Sequence, residues 1–330
     1  MSARMVSKWI AVGRASALGR RPLPVTLDGL PMVLFRTPAG VRALTDRCPH
    51  RSAPLSGGRV VDGEIECPYH GWRFDGDGRC RAMPGLIGEL PRAFVPSHQV
   101  LERDGLLFVT TAKDPGTPYV GALSGPGTAA LRLENRVTST LAEVAENILD
   151  ATHTHFTHKG VLRGLSPRRH TVEVSVTGGD GWVEARYVGE PRQEGLVSRL
   201  LEGERADSIG RFIAPGIVEL EFRGPRGPHL VTTFHLRQAE PDTVRGVAVL
   251  SGPNRLGLGY LKAALFFPLF RLAVDQDQRI LSAAHRRRQQ FADIRQMSGP
   301  LDIMRPHIDA ILAGRRPSVA DTPARHLISL

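Results

Sequence analysis

Cys48-Pro-His50 is followed, after 16 residues, by Cys67-Pro-Tyr-His70, so two short loops each carry one thiolate and one imidazole donor. A chain with that pairing must fold so that the two loops face each other, and no other feature constrains it as much. Two Cys and two His also suit a structural zinc ion, which takes four donors in a tetrahedron. The order within the loops favours a [2Fe–2S] cluster of mixed ligation, in which one iron takes both Cys and the other takes both His. Imidazole in place of thiolate removes negative charge and raises the reduction potential, which suits an acceptor of electrons from ferredoxins or flavins.

From Cys48 to Cys80 the chain reads CPHRSAPLSGGRVVDGEIECPYHGWRFDGDGRC. The segment, with its Tyr69-His70-Gly71-Trp72 turn, resembles the Rieske domain of the Rieske non-haem iron oxygenases. The resemblance implies that Cys48, His50, Cys67 and His70 hold a Rieske [2Fe–2S] cluster. Cys80 is the only other cysteine, so no disulfide pair staples the cluster loops as one does in respiratory Rieske proteins. That points to the oxygenase type and to a reducing, cytoplasmic compartment.

A cluster that only relays electrons does not need 330 residues. Asp150, His153, His155 and His158 fall within nine residues, the density of a metal site. A mononuclear Fe(II) that activates O2 takes two His and one carboxylate on one face and leaves positions open. The preceding segment, Ser139 to Asp150, reads as a helix opened by Ser or Thr. His153 and His158 stand about 140° apart on a regular helix, so the helix must end between them or carry a π-bulge. His155 and His158, three apart, converge more readily, and spacing leaves both pairs open.

Here the resemblance selects. Asn147-x2-Asp150-x2-His153-x4-His158 matches the oxygenase motif, which makes His153 and His158 the metal ligands and leaves His155 an outer or surface residue. It places Asn147 just outside the metal shell. It also implies that Asp150 hydrogen-bonds both His153 and His70 of another chain, an electron route that requires a homotrimer or other cyclic homo-oligomer. Downstream, the run from Arg271 to Arg288 resembles the helix that supplies the carboxylate ligand. Asp277 aligns with that ligand, with Gln276 where an acidic neighbour is usual. Asp275 is the alternative, about 160° away on a helix.

Hydrophobic residues make up 41 % and charged residues 23 %, as expected of a folded globular chain with a real core. The net charge of +10 invites a nucleic-acid reading, yet aromatic residues for base stacking are not interleaved with the basic ones, so no nucleic-acid partner is expected. The compact basic run Arg286-Arg287-Arg288 reads either as a solvated helix face or as a dock for an acidic redox partner. The N-terminus lacks the apolar run of a secretory leader. The apolar stretch from Tyr260 to Val274 is broken by Lys262, Pro268 and Arg271, so no transmembrane segment is expected. It reads as a core helix kinked at Pro268, with Phe266, Phe267 and Phe270 as candidates for the wall of an apolar pocket beside the iron.

Short β runs (Met32–Arg36, Val60–Glu66, Leu106–Thr111) precede a Pro/Gly/Ser-rich stretch, Asp114 to Gly127, which reads as a domain boundary. Strands are expected at His170–Val176, Trp182–Val188, Ile217–Phe222, Leu230–Leu236 and Val244–Ser251, then helix from Arg255 to Gln296 and a mobile tail after Arg315. The expected fold is α+β. Residues 1–115 form an all-β Rieske domain, and 116–330 form a catalytic domain whose antiparallel sheet wraps helices, as the resemblance implies. That resemblance implies a terminal oxygenase using O2 and NAD(P)H-derived electrons, delivered by a separate reductase with or without a ferredoxin. The short catalytic part resembles the monooxygenase and demethylase branch, and a hydrophobic aromatic, terpenoid or steroid-like substrate is expected. The alternatives are a Rieske electron-transfer protein without a working mononuclear iron, or a Rieske desaturase.

Overall fold

Alternating apolar positions punctuated by Gly turns make the first part of the chain a run of short antiparallel strands. In the computed structural model, which describes residues 7–27, 29–161, 168–189, 206–254 and 257–330, they are β1 (Ile10–Arg14), β2 (Leu23–Leu27), β3 (Leu30–Thr37), β4 (Gly40–Thr45), β5 (Arg59–Val61), β6 (Glu64–Glu66), β7 (Arg73–Phe74), β8 (Cys80–Ala82), β9 (Ser97–Arg103) and β10 (Leu106–Thr110). They belong to a compact unit, Lys8–Pro118. A six-stranded sheet runs in the order β1-β10-β9-β4-β3-β2, and a four-stranded one in the order β5-β6-β7-β8. Two turns are set by Asp-Gly pairs: Asp62 and Gly63 have φ of 53° and 80°, and Asp104 and Gly105 have 48° and 69°. Positive φ at both central residues matches the right-handed twist of a hairpin. The β run Val60–Glu66 is therefore the β5–β6 hairpin.

Strand β3 explains where the cluster loops sit. Successive side chains point to opposite faces of a sheet. Met32 and Leu34 enter one apolar cluster with Val12, Val25 and Leu107. Val33 and Phe35 enter the other, with Leu55, Ile65, Phe74 and the two cysteines Cys48 and Cys67.

The second unit, Tyr119–Leu330, is built on β11 (Thr128–Val137), β12 (Thr171–Gly179), β13 (Trp182–Val188), β14 (Asp207–Ile213), β15 (Ile217–Gly224), β16 (Gly227–Glu240), β17 (Thr243–Pro253) and β18 (Ala324–Ser329). They pair antiparallel in the order β11-β17-β16-β15-β14-β13-β12-β18. The helices are α1 (Leu141–Leu149), α2 (Thr154–Thr157), α3 (Leu258–Gln290) and α4 (Arg305–Leu312). Val144 and Leu149 of α1, Phe270 and Val274 of α3 and Ile308 of α4 bury against Val174, Phe212 and Phe234 of the sheet. The α+β class and the antiparallel sheet packed on helices are as expected.

Other expectations need correction. Strand β18 occupies the tail expected to be mobile; it pairs with β12 from Thr171↔Ser329 to Val176↔Ala324 and buries Ile328. Helix α3 contains Pro268 within its span and ends at Gln290, short of the expected Gln296. Arg288 is not part of a solvated run, because it is ion-paired to buried Glu143. No helix among the described residues is long and apolar enough to cross a membrane.

Candidate cluster and metal sites

The two cluster loops share one backbone design. Cys48 N–H donates to the Ala53 carbonyl at 2.8 Å, and Ser52 N–H donates back to the Cys48 carbonyl at 3.0 Å. Cys67 N–H donates to the Trp72 carbonyl at 2.8 Å, and Gly71 N–H to the Cys67 carbonyl at 3.1 Å. Each loop thus closes on its own cysteine. The reversal needs positive φ near its end, 59° at Ser52 and 70° at Gly71. A Cβ on Gly71 would also lie 3.1 Å from Pro84 Cγ, so glycine suits that position on two counts.

Both cysteines are buried, whereas His50 and His70 are exposed at the loop tips. The two rings lie 4.6 Å apart, and His50 stacks on Trp72 at 4.7 Å. Burial, then the neighbouring Cys67, pushes the Cys48 thiol up, so binding metal there requires release of protons. A single tetrahedral zinc ion would gather all four donors within about 4 Å of one another. Among the described residues, three or more such donors gather within 4.8 Å only at His153, His158 and Asp277. The loops instead present a deep Cys pair and an outer His pair, which fits a two-iron cluster.

The second site begins with a helix that stops early. Glu143 Oε2 accepts from Ser139 Oγ at 2.6 Å and from Thr140 N–H at 3.4 Å, fixing the start of α1. The chain becomes extended at Asp150 (φ −79°, ψ 106°) and resumes as the single turn α2. His153 and His158 flank that turn as its caps. This resolves their five-residue spacing: the helix ends before them, and no π-bulge is involved. His153 Nε2 lies 3.3 Å from His158 Nε2, and Asp277 Oδ1 of α3 lies 3.4 Å and 3.2 Å from them.

Each imidazole has its outer nitrogen occupied. His153 Nδ1 donates to the Asp150 carbonyl at 2.5 Å, with Asp150 Oδ2 at 3.7 Å, and His158 Nδ1 donates to Gln276 Oε1 at 2.9 Å. Both acceptors are oxygens, so both protons sit on Nδ1 and both Nε2 lone pairs face inward, the tautomer a metal requires. Asp277 Oδ1 is buried without a hydrogen bond of good geometry. Burial works to raise its carboxyl, but His153 and His158 in the forms protonated at Nε2, through hydrogen bonds and charge, outweigh it and lower it to about 2. The centre of the three-atom triangle lies about 1.9 Å from each atom, close to the roughly 2.0–2.2 Å of imidazole and carboxylate ligation. The donor set and the orphaned oxygen fit a divalent ion.

Asp275 and His155 lie outside this group. Asp150 Oδ1 accepts from Thr152 N–H at 2.7 Å and Thr152 Oγ1 at 2.6 Å. Asp150 and Asn147 line a cavity of about 420 Å³ with Glu146, Arg288 and Arg305, and Asn147 Nδ2 is buried there without a hydrogen-bond partner among the described residues. Sequence reasoning missed Thr152 and noticed Gln276 only as a departure; its neighbour Asp277 was the available signal. Phe270 is in the core, Phe267 packs partly buried against it, and Phe266 lines a cavity three helical turns from Asp277.

Residues 8–93 match the Rieske [2Fe-2S] domain. The oxygenase component of dicamba O-demethylase from Stenotrophomonas maltophilia is 35% identical over 184 residues, 54% of each chain. The methylxanthine N3-demethylase NdmB of Pseudomonas putida is 31% identical over 220 residues, 64% of this chain and 61% of the relative. The chain thus matches about half to three-fifths of the length of these relatives. The crystal structure of dicamba monooxygenase bound to dicamba superposes with a TM-score of 0.76 at 24% identity, covering 94% of this chain and 96% of that one. Pseudomonas putida NdmA with caffeine superposes with a TM-score of 0.72 at 20% identity, covering 96% of both chains. Residues 8–93 thus form a Rieske [2Fe–2S] domain, and the fold is shared with dicamba monooxygenase and NdmA.

Proposed function

We propose that this chain is the terminal oxygenase component of a multicomponent Rieske system, which uses O2 and NAD(P)H-derived electrons to hydroxylate or oxidatively demethylate a hydrophobic small molecule. The observation that carries this reading is the convergence of His153 Nε2, His158 Nε2 and Asp277 Oδ1 in a chain that also has a Rieske domain. A pure electron carrier has no use for such a triad. The names of the relatives, a dicamba O-demethylase and a methylxanthine N3-demethylase, favour removal of a methyl group from oxygen or nitrogen on an aromatic ring.

In this reading Cys48 and Cys67 hold one iron of the cluster, His50 and His70 the other, and His153, His158 and Asp277 hold a mononuclear Fe(II). That ion, when bound, supplies the activation of O2. The chain's own groups set its surroundings. Asp150 and Gln276 keep both ligand imidazoles in the correct tautomer, and Asp277 brings the negative charge that balances the cation. Asp150 also accepts a hydrogen bond from His70 of a second copy, which gives the electron its path and makes a cyclic homo-oligomer, a homotrimer, part of the active state. Asn147 sits beside that path. Residues 1–115 carry the electron-accepting function and 116–330 the chemistry. The electron donors are a separate reductase and, in some arrangements, a ferredoxin, in the cytoplasm.

Iron and acid-labile sulfide per chain, measured on anaerobically reconstituted protein, test this directly. About three iron to two sulfide is the expected ratio for a cluster plus one separate ion. A ratio of about two to two, unchanged by added Fe(II), would replace the oxygenase by an electron carrier.

A further inference from the structure

Helix α3 begins very close to the sheet. Gly257 (φ 80°) turns the chain into the helix, and Asn254 Oδ1 accepts from Gly259 N–H at 3.2 Å. A Cβ on Gly259 would lie 2.7 Å from the Pro253 carbonyl oxygen and 3.0 Å from Ala129 Cβ, so only glycine permits this approach to β11 and β17. Farther along, a cavity of about 400 Å³ opens between α3 and the strands. Its walls are apolar: Leu230, Leu250, Pro253, Leu258, Ala263 and Phe266. Lys262, His229 and Ser251 complete the polar part of the lining, and no carboxylate among the described residues belongs to it. Lys262 is exposed and makes no ion pair with the described residues.

We propose that this cavity is a binding site for an apolar carboxylate of about two-ring size, seated with its rings against Phe266, Leu230 and Leu250 and its carboxylate at the Lys262 ammonium. The volume falls within the range of small-molecule sites, roughly 300–1,000 Å³. An ammonium over an apolar, acid-free cavity selects an anion over a neutral molecule, since the charged hydrogen bond is made where competing acids are missing. Phe266 precedes Asp277 by 11 residues on one helix, about 16 Å, so this site is distinct from the His153–His158–Asp277 triad.

Isothermal titration of the full chain with 2-naphthoate, alongside the uncharged 2-naphthylmethanol, tests it. One naphthoate per chain is expected, bound about tenfold or more tightly than the alcohol, with Lys262→Glu removing that preference. Ala263→Trp, which fills the cavity, should abolish binding while the far-ultraviolet circular dichroism is unchanged. Asp277→Asn should leave the naphthoate affinity at the wild-type value. Equal affinity for acid and alcohol, wild-type affinity in Lys262→Glu, or loss of binding in Asp277→Asn would each overturn the proposal. Because Lys262 is exposed, its substitution reads the site even if the tryptophan variant misfolds.

Discussion

His158 and Gln276 are 118 residues apart in the chain, yet His158 Nδ1 donates to Gln276 Oε1 at 2.9 Å, and the residue after Gln276 is Asp277. One short stretch of α3 therefore supplies both the carboxylate of the triad and the acceptor that orients an imidazole of it. A neutral amide makes this contact, so the imidazole is positioned without the added negative charge a carboxylate would bring.

Gln276→Leu removes the acceptor and should weaken Co(II) or Fe(II) binding at the triad by about tenfold to a hundredfold. Gln276→Glu retains an acceptor and should bind at least as tightly as the wild type. A calorimetric or spectroscopic Co(II) titration of the three proteins reads this. Equal affinity in the leucine variant would mean that the contact has no role in holding the ligand.

His153→Ala removes one imidazole of the triad and nothing near the Cys/His loops in sequence. The variant should keep the Rieske absorption bands, lose one iron per chain and lose product formation. Loss of the cluster together with the separate iron would identify His153 as a folding residue.

Asp150→Asn keeps a carbonyl-type oxygen where Thr152 donates at 2.7 Å and 2.6 Å. It should retain both metals while slowing transfer from the pre-reduced cluster. Single-turnover rates measure this, and rates equal to wild type would remove Asp150 from the electron route.

His235 donates from Nε2 to the Val120 carbonyl at 3.1 Å in a fully buried position, and burial lowers it to about 4. The unfolded chain binds a proton near pH 6.5 that the folded chain refuses until about pH 4. Stability contributed by the neutral ring is therefore complete above pH 6.5 and falls as pH drops through that window, by about 3 kcal/mol near pH 4. His235→Gln keeps an N–H donor but cannot titrate, so urea midpoints should fall less steeply with acid in this variant. Parallel pH slopes would show that other groups carry the effect.

Deleting residues 324–330 removes β18 from the sheet edge together with buried Ile328 and Leu330. The loss of two buried aliphatic side chains should cost about 3–6 kcal/mol and lower the thermal midpoint of the second unit. A midpoint unchanged on deletion would restore the reading of this segment as a mobile tail.

The cluster site was legible because its donors are local. Cys48 with His50 and Cys67 with His70 sit on tight loops, and loops closed on their own backbone need no distant partner to take shape. The pairing of His153 with His158 was open from spacing alone, since a regular helix separates them. It was decided by the extended residue Asp150, which ends α1 and lets α2 start afresh. Asp277 over Asp275 was equally undecidable from periodicity, because both lie on the same helix and only its rotation against α2 brings one of them to the imidazoles.

The amino-acid order by itself determined the inventory of candidate donors, the two-loop Cys/His motif and the alternation that makes antiparallel strands, because each depends on neighbours within a few residues. Tertiary structure alone decided which carboxylate meets the histidines, that Gln276 orients one of them, and that the last residues form a strand against β12. Those contacts join segments more than a hundred residues apart, and their geometry is set by helix rotation and sheet register, quantities that no local pattern encodes.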